Sequence, residues 1–282
     1  MKTILVPVED HGSMEIVMRS ALLVAQKFGS YIEGAALGPD FTELAASDFS
    51  LSGMVFDEKT QRELLAEAAR RFDAFMLAAG VARQGSPDAP VEQEACSCGW
   101  VGGHLMTDRD IGEYGRVFDL IVVGKPADDI NVPRRKTFEA ALFDSGRPVL
   151  IVPPEMSQTL GRSIAIVWNG SSETARTVAL AMPLILLAQD VIVLDVPHSR
   201  LAGPSGEELA QNLRRHGITV RSLPMAGASK PSGSAVLEKA KELGADLLIK
   251  GGYTQSRLRE LIFGSVTSEV LANMHMPVFM AH

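Results

Sequence analysis

Cysteine is scarce in this 282-residue chain, with Cys96 and Cys98 the whole supply. One intervening residue is an awkward spacing for a structural disulfide, so the pair points to a reducing compartment. Together with His104 they make three potential metal ligands. The C-x2-C spacing of zinc sites is missing, however, and no fourth ligand suggests itself, so two small residues on a strand leading into a helix is the plainer reading. Long apolar runs are also missing: the stretch 179–188 is interrupted by Pro183 and falls short of the roughly 20 residues that span a bilayer. The opening MKTILVPVE reads as a strand followed by polar and acidic residues, not as a basic, apolar, cleavable leader. A cytoplasmic protein without membrane contact is therefore expected. Positive charge is in short supply too. The 27 Lys and Arg face 34 Asp and Glu, a net charge of −7 that repels a phosphate backbone and argues against extended nucleic-acid binding. Common catalytic motifs are absent as well. There is no H-E-x-x-H, no G-x-S-x-G and no G-x-G-x-x-G after either first strand, and residues 227–233 (GASKPSG) lack P-loop spacing. The six histidines, His11, His104, His198, His216, His275 and His282, are too scattered to suggest a triad.

What is present is an ordinary globular composition, 46% apolar and 22% charged, in a chain long enough for two domains. Short blocks recur in order. TILVP at 3–7 corresponds to SIAIV at 163–167, and YIEGAAL at 31–37 to VIVLDVP at 191–197, both 160 residues apart. Further on, DLIVVG at 119–124 corresponds to DLLIKG at 246–251, now 127 apart, and RPVLI at 147–151 to MPVFM at 276–280, 129 apart. The drop from 160 to 127 gives the first half 33 extra residues, which fall around 41–90 and read as an extended loop and a lengthened helix over 58–79.

Each half therefore reads as five short apolar strands alternating with four helices. The strands lack polar alternation, as strands buried on both faces should. In the second half the strands are expected at 163–168, 191–196, 218–223, 246–251 and 278–281, and the helices at 172–187, 206–216, 232–243 and 265–274. The fold class expected is α/β, two tandem doubly wound parallel sheets of order 3-2-1-4-5, spanning 1–154 and 160–282 on either side of the PPEMSQ linker. Ligands of such sheets sit beyond the carboxyl ends of the strands, where the strand order reverses.

That point in the second half carries Gly251-Gly252-Tyr253-Thr254, nine residues, then Gly264-Ser265 opening the last helix. A glycine lets backbone approach a phosphate closely, and the free amides of a helix start favour an anion. Ser265 either adds a hydroxyl to that cradle or caps the helix. Lys250 ends an apolar strand and either neutralises an anion in the crevice or lays its stem on the sheet with the ammonium in solvent. Asn169 either contacts a ligand or caps the following helix. Arg257 and Arg259 flank the loop as candidate surface charges.

These words resemble the universal stress protein family, whose ATP-binding members carry G-x2-G-x9-G-[ST] at this place. WNGS at 168–171, ADLLIKGGYTQSRLRELIFGSVT at 245–267 and MPVFMAH at 276–282 look similar too. The resemblance covers essentially the whole second half and, more loosely, the first. It implies an adenine-nucleotide alpha-hydrolase-like fold that binds ATP or another adenine nucleotide, with or without Mg. The residues implied in the site are Val167, Asn169, Val196, Lys250, Gly251, Thr254, Gly264, Ser265 and Val266. It implies sensing, with slow ATP hydrolysis at most, and an intramolecular pseudo-dimer paired through the strands 149–152 and 278–281, with or without a further homodimer. Thr254 departs from the pattern, standing where the family has its second Gly. A β-branched residue resists positive φ by about 1–2 kcal/mol, so this loop either takes another path or does not wrap phosphate in the usual way. Asn169 stands where the family commonly has an acid. In the first half the same four positions hold Gly124, Ala127, Thr137 and Phe138, a poor phosphate cradle with a bulky Phe138 at the helix start. There Asp10 reads as a ribose contact or helix cap, and Arg134-Arg135-Lys136 as a solvated helix start or a site for another anion. A scaffold that has lost its nucleotide site is the competing reading.

Overall fold

Strands too apolar to tolerate a wet face need helices on both sides, and parallel strands joined by helical crossovers provide them. In the computed structural model, which describes residues 1–38, 58–84, 95–127, 133–155, 158–196, 203–225, 231–252 and 265–282, this is how the chain is built. It divides into two compact units, Met1–Arg147 and Pro148–His282.

The first unit runs β1 (Thr3–Val8), α1 (Met14–Phe28), β2 (Tyr31–Leu37), α2 (Glu58–Ala78), β3 (Ala82–Arg83), β4 (Ser97–Met106), α3 (Asp108–Tyr114), β5 (Leu120–Gly124) and α4 (Arg135–Asp144). Its strands lie in the order β3-β4-β2-β1-β5, all parallel. The second unit runs β6 (Val149–Val152), β7 (Ser163–Trp168), α5 (Ser172–Ile185), β8 (Asp190–Asp195), α6 (Gly206–Arg215), β9 (Val220–Pro224), α7 (Gly233–Glu242), β10 (Leu247–Gly251), α8 (Ser265–Asn273) and β11 (Val278–Ala281). Its order is β6-β11-β10-β7-β8-β9, with β6 antiparallel on β11 and the remaining pairs parallel. Apart from β6 and the small β3, the second unit has the winding 3-2-1-4-5 and the first its 3-2-1-4 part, and the strand order reverses between β1 and β5 and between β7 and β10. The strands of that reversal are the buried core: 4–8, 120–124, 164–168 and 247–251 are buried throughout.

The lengthened helix of the first unit is α2, 21 residues against 10 in α6. Only Phe72 and Met76 of α2 are buried, so the sheet anchors its last turns and leaves the first three half or fully exposed. Phe72 packs on Trp100 of β4 with ring centroids 5.5 Å apart, over Gly34 of β2. A Cβ at Gly34 would lie 2.7 Å from both aromatic side chains, so a residue without one is required there. The loops expected on either side of α2 lie mostly outside the described residues. Two features of this edge carry no sequence signal: the two-residue β3, and a bulge in β4 between the pairs Ala35↔Val101 and Leu37↔Met106. His104 lies on that bulge, whereas Cys98 is buried in β4 and Cys96 precedes it. Among the described residues no group of metal-ligating side chains assembles, and no helix is long and apolar enough to cross a membrane.

Candidate functional site

The carboxyl ends of β7 and β10 lie side by side in the second unit, Val167 opposite Lys250. Val167 is buried, and buried Val196, just past β8, donates its N–H to the Trp168 carbonyl at 2.7 Å. At the end of β7 the Asn169 side-chain oxygen accepts from the Ser171 N–H at 3.1 Å and from the Thr174 hydroxyl at 2.7 Å. Ser171 is the N-cap of α5, accepting from the Thr174 N–H at 3.2 Å. Ser171 is thus the cap, and Asn169 braces it through its oxygen, while both hydrogen bonds of the Asn169 side chain among the described residues use that oxygen rather than the amide nitrogen. Gly251 has a packing reason of its own. A Cβ there would lie 2.7 Å from both the N and the Oγ1 of Thr174, so the end of β10 can touch the first turn of α5 only as glycine.

Lys250 is 8% exposed. Its ammonium donates to the Gly251 carbonyl at 3.0 Å and to the Thr267 hydroxyl, in the first turn of α8, at 2.6 Å. The sequence alternative of an ammonium in solvent does not hold, because a strand carbonyl and a helix hydroxyl draw it inward. Ser265 opens α8 and Val266 is half-buried. Thr254, Gly264, Arg257 and Arg259 lie outside the described residues.

Helix starts at this edge compete for anions, so the occupants of their amides matter. Ser171 caps α5. At α6, Ser205 and Glu208 form a capping box and the Gly206 N–H donates to Asp195 at 2.8 Å. At α7, Ser232 accepts from the Ala235 N–H at 3.1 Å, and the Gly233 N–H donates to Glu269 at 2.7 Å. These three helices are therefore capped by protein groups. The loop entering α8 lies outside the described residues.

The corresponding edge of the first unit has its own resident charges. Glu9, just past β1 and 8% exposed, accepts the Arg134 N–H at 3.0 Å and lies 3.7 Å from the Arg134 guanidinium. Arg134 is the N-cap residue of α4, and its guanidinium also lies 3.6 Å from Asp108 and donates to the Gly38 carbonyl at 2.8 Å. Thr137 donates its hydroxyl to Asp108 at 2.7 Å. Burial pushes the Glu9 carboxyl up to about 7, against the lowering effect of the Arg134 N–H and guanidinium. Three sequence expectations change here. Arg134 is not part of a solvated helix start, because two carboxylates and a carbonyl hold it inside. Phe138 is the fourth residue of α4 rather than its first, and its side chain is fully buried. Asp10 neither caps α1, whose N-cap is Ser13, nor faces the crevice; it pairs with Arg71 of α2 at 2.9 Å. Next to it, His11 is 6% exposed and bonded to the Ser13 hydroxyl at 3.1 Å. Burial, then the charge of Arg71, holds the His11 imidazole down at about 4. It lines an open cleft of about 860 Å³ between α1 and α2, floored by Met14, Met18 and Phe75.

Residues 162–282 match the family model of the universal stress protein family. The universal stress protein Slr1230 of Synechocystis is 24% identical over 172 residues, a match spanning 57% of this chain and 57% of that relative's length. Among solved structures, a universal stress protein from Archaeoglobus fulgidus superposes with a TM-score of 0.64 at 15% identity, covering 99% of this chain and 97% of its own. A functionally unknown protein from Pseudomonas aeruginosa PAO1 gives 0.55 at 16% identity, covering 100% of this chain and 92% of its own. At these identities the structural likeness establishes the fold.

Proposed function

Since its C-terminal domain, residues 162–282, belongs to the universal stress protein family, we propose that this chain is a tandem stress protein, with copies at 1–154 and 160–282, whose second copy binds an adenine nucleotide such as ATP or AMP. Family membership supports the stress-response role. The site takes Val167, Asn169, Val196, Lys250 and Gly251 from the strand ends, Thr254 and Gly264 from the stretch between β10 and α8, and Ser265 and Val266 from the start of α8. The protein senses the nucleotide in the cytoplasm.

The observation that carries the reading is the placement of Lys250. A helix start already carries partial positive charge, and a cation belongs at the other end of a helix. Here an ammonium is buried against the first turn of α8, at the point of strand-order reversal where such sheets take ligands. An anion at that point is favoured by the ammonium and by the helix start together. The starts of α5, α6 and α7 already have protein caps, and the resemblance puts phosphate at the start of α8. With its oxygen held by Ser171 and Thr174, Asn169 turns its amide nitrogen to a nucleoside.

Titration calorimetry of the full chain with ATP and with AMP tests this. Binding is expected, and Lys250→Gln is expected to weaken it by roughly 10- to 100-fold, the worth of a charge-assisted hydrogen bond. No saturable heat with either nucleotide would leave the scaffold reading, which draws on the packing roles already found for Asn169 and Gly251. If the site also hydrolyses ATP, phosphate release would depend on metal and disappear in Gly264→Trp.

A further inference from the structure

The first unit places two carboxylates around a single guanidinium. Glu9 comes from the end of β1, Asp108 from the start of α3, and Arg134 from the turn into α4; Arg134 also reaches the end of β2 through the Gly38 carbonyl. Four elements thus meet through one arginine. The side chains of Glu9, Asp108 and Arg134 are only 8%, 17% and 24% exposed, so water screens the excess negative charge weakly. With both carboxylates ionised the cluster has one negative charge too many; the Thr137 hydroxyl donates to Asp108 and also lies against Glu9, whose carboxyl it lowers. Glu9 is the more deeply buried carboxylate.

We propose that this cluster is a proton-operated latch: ionised Glu9 holds the start of α4 through the Arg134 N–H and guanidinium, and uptake of one proton by Glu9 loosens that hold and leaves Arg134 to Asp108. Burial raises the Glu9 carboxyl to about 7, so small pH changes around neutrality move its proton. The charged groups facing Glu9 among the described residues are Arg134 and Asp108. Asp10 is turned outward onto Arg71, and His11, held down at about 4, does not titrate in the same range. The second unit has no equivalent latch, because the 160-residue spacing puts uncharged Asn169 at the position of Glu9. Nothing in this proposal depends on nucleotide binding by the second unit.

Amide NMR of the full chain between pH 5 and 9 tests the latch. The Arg134 amide is expected to titrate with one midpoint near the Glu9 value and to become flat in Glu9→Gln. Asp108→Asn removes a like charge and is expected to lower the midpoint, while Arg134→Met removes the cation and is expected to raise it. Opposite shifts distinguish a coupled titration from a merely structural role. An Arg134 amide that does not move between pH 6 and 8, or one that still titrates in folded Glu9→Gln, overturns the proposal. Should Glu9→Gln fail to fold, an unchanged midpoint in Asp108→Asn does the same.

Discussion

Single side chains at the strand ends decide what each crevice can hold. Lys250 was legible in the sequence as a charge at the end of a central strand, but its burial was not, because that depends on Thr267, 17 positions away. Glu9 was the larger omission. Local reading favoured its neighbour Asp10, yet β1 delivers Glu9 into the interior while Asp10 turns out to Arg71. The repeat held the missing signal, since the spacing that aligns the first strands puts Glu9 on Asn169. The two buried titrating groups have opposite consequences for stability. Glu9 binds its proton more tightly folded than unfolded, so its contribution is full below about 4.5 and is lost as pH rises to about 7. His11 is lowered by folding, so its contribution is present above about 6.5 and lost as pH falls toward 4. In the wild type the two trends partly offset between pH 4.5 and 6.5. Urea unfolding across this range is expected to show Glu9→Gln losing stability on acidification more steeply than the wild type, by on the order of 2–3 kcal/mol. A parallel pair of curves would show that Glu9 titrates normally.

At the scale of elements, strand and helix placement in the second unit followed the apolar pattern within about two residues, because buried parallel strands and amphipathic helices write themselves into the local sequence. What escaped was fixed by partners rather than by local pattern. The strand β3 exists only where Ala82 and Arg83 meet Ser97 and Cys98, and the β4 bulge is visible only in its pairing with β2. Close contacts between elements supply a direct test. Gly251→Ala would push a methyl group to 2.7 Å from the Thr174 backbone and hydroxyl and prise the end of β10 from α5. The expected cost is about 1–3 kcal/mol in thermal or denaturant unfolding. Ser232→Ala removes the acceptor for the Ala235 N–H at the start of α7 and is expected to cost about 1 kcal/mol.

For the whole molecule, the recurring words of the two halves foretold the recurring winding, 3-2-1-4-5 in the second unit and its 3-2-1-4 part in the first. The strand 149–152, which the sequence groups with the first copy, falls in the second unit, where Val149, Leu150 and Ile151 pair with Met280, Phe279 and Val278. A fragment beginning at Pro148 is therefore expected to unfold at a higher temperature than one beginning at residue 160, which leaves that edge of β11 bare; equal melting points by circular dichroism would mean β6 adds nothing to the second unit. The candidate site was legible as a place, through the glycines around the β10–α8 loop, more than as chemistry, because Asn169 and Gly251 serve packing and capping as well. The most direct measurement is a titration of isotope-labelled full chain with ATP and AMP, followed amide by amide. The account predicts saturable shifts concentrated at Trp168 and Asn169, at Lys250 to Gly252 and at Ser265 to Thr267, with Glu9, Arg134 and Thr137 unmoved. Saturable shifts confined to the first unit, or none anywhere, would contradict it.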